Sequence, residues 1–373
     1  VRNSVIIIGG GLAGLTAAIH LAQKKFEVVL FERSEFPRHK VCGEYVSKEI
    51  LPYFDSLSLN IEKLNPKEIN KLQFSTKNGK LIDAQLPLGG LGLSRYKFDD
   101  FLYQKAVLNK NINVIKENVT QIKFQNQEFT VKTKSARYRS KVALGAFGKR
   151  SNIDKALKRR FISKKTHWMA IKSHYKNDDF PDNLVALHNF EGGYCGLSKT
   201  ENEAVNVCYL CTYKSFKTQK SPKDFKENVL FQNPNLRSFF NNSENLFDKD
   251  LSIAQISFDK KPAVQDHILM LGDAAGLIHP LCGNGMAMAI HSAKLASEAI
   301  IECVDGQTIH REKMEKMYKQ SWNDHFNSRL KMGKILQGIL LKPKLTGFSQ
   351  KLLSLYPNLL PKIIKKTHGR LSL

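Results

Sequence analysis

Residues 4–34 read SVIIIGGGLAGLTAAIHLAQKKFEVVLFERS, and the fold turns on them. Val5–Ile8 is an unbroken apolar run, the pattern of a strand covered on both faces. Gly9, Gly11 and Gly14 follow as G-x-G-x-x-G, and Leu15–Gln23 carries the small and apolar residues of a helix. Val28–Phe31 makes a second strand, closed by Glu32. Each glycine has its own task. Gly9 allows the tight turn, Gly11 lets backbone approach a pyrophosphate at the helix N-terminus, and Gly14 lets helix and strand touch. Glu32, 23 residues after Gly9, is spaced to accept hydrogen bonds from a ribose 2′-hydroxyl. An acid there repels a 2′-phosphate, so the site suits FAD or NAD rather than NADP. Strand, turn, helix, strand and acid in that order predict an α/β chain with a Rossmann-like dinucleotide domain.

A second glycine cluster lies far downstream, in GDAAGLIHPLCGNGMAMAIHSAK (272–294). Ile268–Leu271 reads as another buried strand, delivering Asp273 to the carboxyl end of a parallel sheet, where doubly wound folds bind ligand. Pro280–Gly285 makes a turn and Met286–Ala299 a long helix, whose start offers N–H groups and a positive dipole end. One elongated cofactor explains both turns. FAD would set its adenosine end at the first turn and its ribityl–pyrophosphate part near Asp273. The helix starting near Asn284–Met286 would then stabilise charge at the N1–C2=O edge of the flavin.

Composition narrows the setting. A formal net charge of +24 speaks of partners rather than of fold. Six cysteines (42, 195, 208, 211, 282 and 303) are too scattered for a disulfide framework, which predicts a reducing, cytoplasmic setting. No signal-peptide pattern precedes the first strand, and no apolar run, Ile335–Leu341 included, nears the roughly 18–20 residues of a spanning helix. Cys208 and Cys211 form C-x-x-C inside an expected strand, so their side chains point to opposite faces. Neither a redox disulfide nor a metal site is expected there, and no metal site elsewhere.

FERS (31–34), VCGE (41–44), SRYKFDDFL (94–102) and GDAAGLIHPLCGNG (272–285) together resemble one flavoprotein superfamily. It holds the geranylgeranyl reductases, the aromatic hydroxylases (group A flavin monooxygenases) and the flavin-dependent halogenases. The resemblance spans most of residues 1–305 and comes nearest the geranylgeranyl-reductase-like branch. It implies a glutathione-reductase-type FAD domain assembled from 1–70, 95–160 and 255–305. An inserted antiparallel-sheet substrate domain would take 71–94 and 161–254, and a basic helical region 306–373. The resemblance also implies that Arg95 contacts FAD, that Asp273 contacts its ribityl–phosphate part, and that Arg38–Glu44 lie near the isoalloxazine. Motifs and resemblance together name Gly9, Gly11, Leu12, Ala13, Gly14, Glu32, Arg33, Cys42, Gly43, Arg95, Val119, Gly272, Asp273, Pro280, Gly283, Asn284, Gly285 and Met286 as cofactor-binding residues.

Between the motifs, Leu72–Phe74 and Leu81–Leu86 flank KNG as a hairpin, and Phe98–Val107 reads as a helix. Trp168–Tyr213 is mostly strand-like, 214–250 looks helical and polar, and Leu251–Ser257 is expected to return to the FAD domain. GGLG (89–92) lacks the flanking strand and helix of a second dinucleotide site. GGYCGLSK (192–199) with NVCYL (206–210) resembles the GGYxWxFPK…NVG region that reductases of the family set beside substrate, without its Trp and Phe. Hydroxylases of the family carry an Asp-Gly pair where this chain has Phe147 in LGAFGKRS (144–151), which tells against their standard NAD(P)H-linked cycle. No G-x-W-x-I-P segment is present, so halogenation is not expected.

Two residues are candidate catalytic groups. Cys42 has two readings: a thiol that gives a proton to carbon as flavin hydride reaches its neighbour, or a polarizable packer against the ring system. His279, before Pro280, either polarises a substrate or flavin oxygen or simply shapes the turn. Glu44 reads as a paired or solvated carboxylate ahead of an acid/base.

After Asp324 no acidic residue occurs. Across residues 325–373 Lys and Arg alternate with apolar clusters at spacings of three and four, as short helices broken by Pro343, Pro357 and Pro361. Such a tail suits an anionic membrane interface, an acidic acyl carrier protein, a cap on the substrate cavity, or plain packing on the core. No nucleic-acid-binding module is present, so no nucleic-acid partner is expected. The expectation is therefore a FAD-dependent oxidoreductase acting on a small hydrophobic substrate, lipid, prenyl or carrier-bound acyl or polyketide. It would reduce a C=C bond by flavin hydride, with NAD(P)H or a reduced carrier as electron donor. A monooxygenase working through a flavin hydroperoxide is the alternative enzyme, and a membrane-docked flavoprotein sensor the non-enzymatic one. The expected location is the cytoplasm, peripheral at the inner face of the membrane.

Overall fold

The computed structural model describes residues 4–306 and 308–340. Ser4–Ile8 pairs in parallel with Glu27–Phe31 and with Val142–Gly145, setting Ile7 opposite Leu30 and Leu144. Ile112–Ile115 extends this sheet on one side and Ile268–Met270 on the other, both parallel. Val264–Gln265 closes it as an antiparallel edge. The fingerprint helix, Leu12–Gln23, is buried from Leu12 to Ala22 and packs on helices Arg95–Val107 and Gly285–Cys303. A meander of Gln121–Gln125, Glu128–Lys132 and Arg137–Ser140 adds Ile122, Phe129 and Val131 to the same core. Cover of this kind explains why the central strands read as unbroken apolar runs.

The second sheet runs in the order Glu244–Asn245, Trp168–Lys176, Val205–Thr212, Gly193–Lys199, Leu184–Phe190, Lys67–Ser75, Leu81–Gly92, Tyr45–Ser47. It is antiparallel except that Leu184–His188 lies parallel to Lys71–Ser75. Three segments differ from expectation. Tyr45–Ser47 and Lys67–Ser75 start this sheet ahead of residue 71. Leu251–Ile256 does not return to the FAD layer, because it pairs with Trp168–Lys172. Gly92 needs its missing side chain here, since a Cβ would stand 1.9 Å from the Lys199 carbonyl oxygen.

Strand alternation gives the sheet two different faces. Val205, Val207, Tyr209 and Cys211 turn toward Phe225, Leu230, Leu236, Phe239 and Phe240, so the helical segment expected to be polar has an apolar underside. Cys208 and Leu210 turn the other way, into a cavity between the two sheets. The C-x-x-C cysteines therefore part to opposite faces as expected, both as free thiols.

Arg311–Leu340 is one long helix. Met314, Tyr318, Trp322 and Phe326, four residues apart, bury one side of it, and the Tyr318 hydroxyl donates to the Met270 carbonyl. Residues 325–340 thus continue a single helix instead of forming short ones; the expected breaks at Pro343, Pro357 and Pro361 lie outside the described residues. No described helix is long and apolar enough to cross a membrane.

Candidate active site

The first turn behaves as the sequence requires. Gly9 has φ +110°, and a Cβ on it would stand 2.3 Å from the Ala146 carbonyl oxygen. A Cβ on Gly14 would stand 1.9 Å from the Gly9 carbonyl oxygen, so strand and helix meet backbone to backbone. Gly11 caps the fingerprint helix with no side-chain hydrogen bond, leaving the first helical N–H groups to a ligand. The nearest atom to a Cβ there is Nη2 of Arg95 at 3.9 Å, so a guanidinium stands across from the phosphate-type cradle. Glu32 accepts from the Gly10 N–H at 3.0 Å, the Ser34 N–H at 2.9 Å and Arg38 at 3.0 Å. It fastens the turn as well as facing the cavity.

Arg95 begins its helix and donates twice to Asp99, at 2.7 Å each. Lys40 donates to the same carboxylate at 2.6 Å. Burial pushes Asp99 up, but Arg95 and Lys40 outweigh it and hold the carboxyl below its usual range. The guanidinium is thereby fixed, with the Cys42 thiol beside it.

The loop carrying Cys42 is gripped by the large sheet and by the loop after Val142–Gly145. Asn206 donates to the Cys42 carbonyl at 3.2 Å, Ser198 to the Gly43 carbonyl at 3.4 Å, and Lys149 to the Val41 carbonyl at 3.4 Å. Glu44, at φ +53°, is fully buried. It accepts from the Arg95 N–H at 2.7 Å and from Lys172 at 2.5 Å, and it lies 2.7 Å from His174 Nε2. Burial would raise its pKa; Lys172 and His174 reverse the sign and hold it low. A left-handed backbone at a non-glycine residue marks a position the surroundings enforce.

The second turn faces the same space. Lys261, buried, donates to the carbonyls of Lys149 at 2.9 Å and Asp273 at 2.8 Å, tying the two cavity-lining loops together. Burial draws its pKa down to about 8. The resulting cavity measures about 970 Å³, at the upper end of ordinary ligand sites. It runs from the Gly9–Ala13 turn past Cys42, Arg95 and Asp273 to a wall of Leu72, Phe74, Ile82, Leu86, Val185 and Leu187. Leu336 and Ile339 of the C-terminal helix also line it.

All of the expected cofactor residues border this cavity except Gly14 and Asn284. Gly14 acts through packing, as its role requires. Asn284 turns its side chain away from the cavity. Its amide donates to Glu49 Oε1 and accepts from Arg329 at 3.2 Å, so the side chain anchors the C-terminal helix. Its neighbours Gly283, Gly285 and Met286 do face the cavity. His279 also stands back from the lining. It is buried among Trp168, Tyr194 and Phe258, outside the cavity lining, with Nδ1 accepting from the Leu281 N–H at 3.4 Å. Burial lowers its pKa to about 3, and its Nε2 is buried without a hydrogen-bond partner. Lys172, His174 and Asn206 escaped sequence reading because only distant strand pairings bring them here, and Lys261 because its loop gives no local sign of the carbonyls it meets. Asp99, four residues after Arg95 on a helix, carried a legible signal.

Glycine cradle, acid, guanidinium and second turn fit FAD. Comparison with known proteins agrees. Residues 3–178 match the family model described as pyridine nucleotide-disulphide oxidoreductase. The digeranylgeranylglycerophospholipid reductase of Thermoplasma volcanium is 24% identical, with 94% of this chain and 89% of that protein aligned. A brominase of 1H-pyrrole-2-carbonyl groups on peptidyl-carrier protein, from Pseudoalteromonas luteoviolacea, is also 24% identical, over 81% of this chain and 78% of its own. The solved structure of the flavin-dependent brominase Bmp2 superposes with a TM-score of 0.77 at 20% identity, covering 98% of this chain and 93% of that one. The chain is a FAD-binding flavoprotein of the two-sheet type these enzymes share. It is a FAD-dependent oxidoreductase, similar in sequence and fold to the geranylgeranyl reductases and the flavin-dependent halogenases.

Proposed function

We propose that this enzyme saturates a carbon–carbon double bond in a long apolar substrate, lipidic or carrier-bound. The observation that carries the reading is the continuity of one cavity from the glycine cradle to the apolar face of the large sheet. When bound, FAD supplies a hydride. The chain's own residues do the rest. Arg95 and the helix start at Gly11 bind the phosphates, Glu32 takes the ribose, and the Gly283–Met286 turn closes on the far end. Leu72, Phe74, Ile82, Leu86 and Leu187 hold an apolar chain and keep water from it. Cys42, pinned through its carbonyl by Asn206, stands at the junction of the two regions and supplies the proton. Phe147 lines the cavity where hydroxylases carry Asp, and the G-x-W-x-I-P segment of halogenases is absent; both favour reduction.

Free thiols at all six cysteines and the basic tail support a cytoplasmic enzyme that meets its substrate at an anionic membrane surface. The deciding experiment mixes anaerobically photoreduced holoenzyme with a polyprenyl glycerol lipid and weighs the product. Gain of two hydrogens per double bond supports the proposal. An added oxygen under air, or an added halogen with bromide, contradicts it.

A further inference from the structure

Gly196 stands in the middle of Gly193–Lys199, a strand paired to Leu184–Phe190 on one side and to Val205–Thr212 on the other. Glycine weakens a strand interior, and it persists there at a bulge or bend, or where another backbone or a ligand comes close. The register on both sides is unbroken, and the backbone stays outside the left-handed region. No backbone crowds the position either. A Cβ on Gly196 would meet nothing nearer than Leu187 Cδ2 at 3.5 Å and the Cys208 carbonyl oxygen at 3.7 Å, ordinary contact distances. Gly193 in the same strand is the contrast, because a Cβ there would stand 2.1 Å from the Leu210 carbonyl oxygen. Packing therefore demands the one glycine and not the other. A ligand is the remaining reason.

The surroundings describe that ligand. Leu187 and Cys208 are the register partners of Gly196 on the neighbouring strands, and Tyr194 and Ser198 lie two residues away on the same face of its own. All five border the cavity. Strand geometry makes the bare patch between these neighbours about 10 Å across the strands and about 13 Å along them, from Cα to Cα. Gly196 is the one half-buried residue from Tyr194 to Lys199, so the gap opens to the cavity. Leu187 and Tyr194 share a hydrophobic cluster with Val41 and Leu281. Ser198 donates to the Gly43 carbonyl, which brings the Cys42 loop to the edge of the patch. None of the four neighbours carries a charge, so an anionic headgroup is not what it holds.

We propose that Gly196 sets the width of the substrate: its missing side chain leaves a slot in the cavity floor for a flat apolar group broader than an unbranched chain, beside Cys42. The proposal rests on the large sheet being the substrate wall, and not on the reaction being a reduction. A flat group lies against the bare peptide planes and meets Leu187, Tyr194 and Cys208 at its rim. An unbranched chain leaves part of the slot empty and forfeits those dispersion contacts. Strand stability given up at one position is thus exchanged for selectivity.

Two variants test this in the holoenzyme. Gly196→Ala adds a methyl that meets only ordinary contacts, so the urea midpoint is expected to rise; a lower midpoint would show that the fold itself needs the glycine and would overturn the proposal. Gly196→Leu fills the slot. Binding is read from the absorbance shift of bound FAD on titration with an n-alkyl glycerol ether and a naphthylalkyl glycerol ether of equal carbon count. The leucine variant is expected to bind the naphthyl ether at least tenfold more weakly and the n-alkyl ether within about twofold of wild type, with FAD affinity unchanged. Equal effects on both ethers, or none on either, overturn the role in width selection. Loss of FAD affinity in the leucine variant would give the slot to the flavin ring and overturn it too. Wild-type protein that binds neither ether contradicts the substrate wall itself, a failure distinct from these.

Discussion

Gly14 and Lys172 show what single residues carry. Alanine at Gly14 would put its methyl 1.9 Å from the Gly9 carbonyl oxygen, prising the helix from its strand. FAD affinity is expected to fall at least about tenfold, or roughly 1.4 kcal/mol, in a fluorescence titration; an unchanged constant would refute the close approach. Lys172→Met leaves the buried Glu44 without its ammonium, at an expected cost of about 3–5 kcal/mol in urea unfolding. Adding Glu44→Gln to that variant should recover part of the loss, because the stranded charge is gone. The first of these residues was readable in the sequence and the second was not. A glycine at a fixed offset inside G-x-G-x-x-G declares its task locally. Glu44 and Lys172 are 128 residues apart, and nothing local announces their pairing.

Among elements, those with local signals were foreseen: the fingerprint strand and helix, the strand before Asp273, the helix after Gly285. Long-range geometry decided the others. Leu251–Ile256 joined the substrate sheet because Trp168–Lys172 offered it an edge, a choice its own residues do not encode. The turn at 280–285 was placed correctly, yet Asn284 faces backward, since Glu49 and Arg329 lie behind it. Asn284→Ala should therefore loosen the C-terminal helix, at about 1–3 kcal/mol, while leaving FAD affinity nearly unchanged. A large fall in FAD affinity with no change in stability would reverse that assignment. Lys261 is the staple between the two cavity loops, and Lys261→Met should raise the rate of FAD release measured by stopped flow.

For the whole molecule, buried histidines set the response to acid. His20, His188 and His291 are lowered to about 4 and His279 to about 3, in each case first by burial. Between those values and 6.5 the unfolded chain binds protons that the folded chain refuses, so stability must fall as pH falls. Each histidine adds up to about 1.4 kcal/mol per pH unit. Denaturant melts should show a steep loss below pH 6, and a flat profile down to pH 4 would mean the rings are hydrated. The basic tail acts at the same scale. Leu336 and Ile339 line the cavity while Ile335 beside them is 56% exposed, so the helix end links cavity and surface. If the proposed docking on an anionic surface runs through the tail, the full chain should float with anionic vesicles, and chain ended after residue 340 should lose flotation and keep its FAD; a full chain that does not float would contradict the docking. The claim beneath all of this is that one FAD spans the two turns, and its stoichiometry is the most direct measure of it. Folded wild-type protein should release close to one FAD per chain on denaturation, and Arg95→Ala should release far less. Folded wild-type protein that takes up no FAD from excess would contradict it outright.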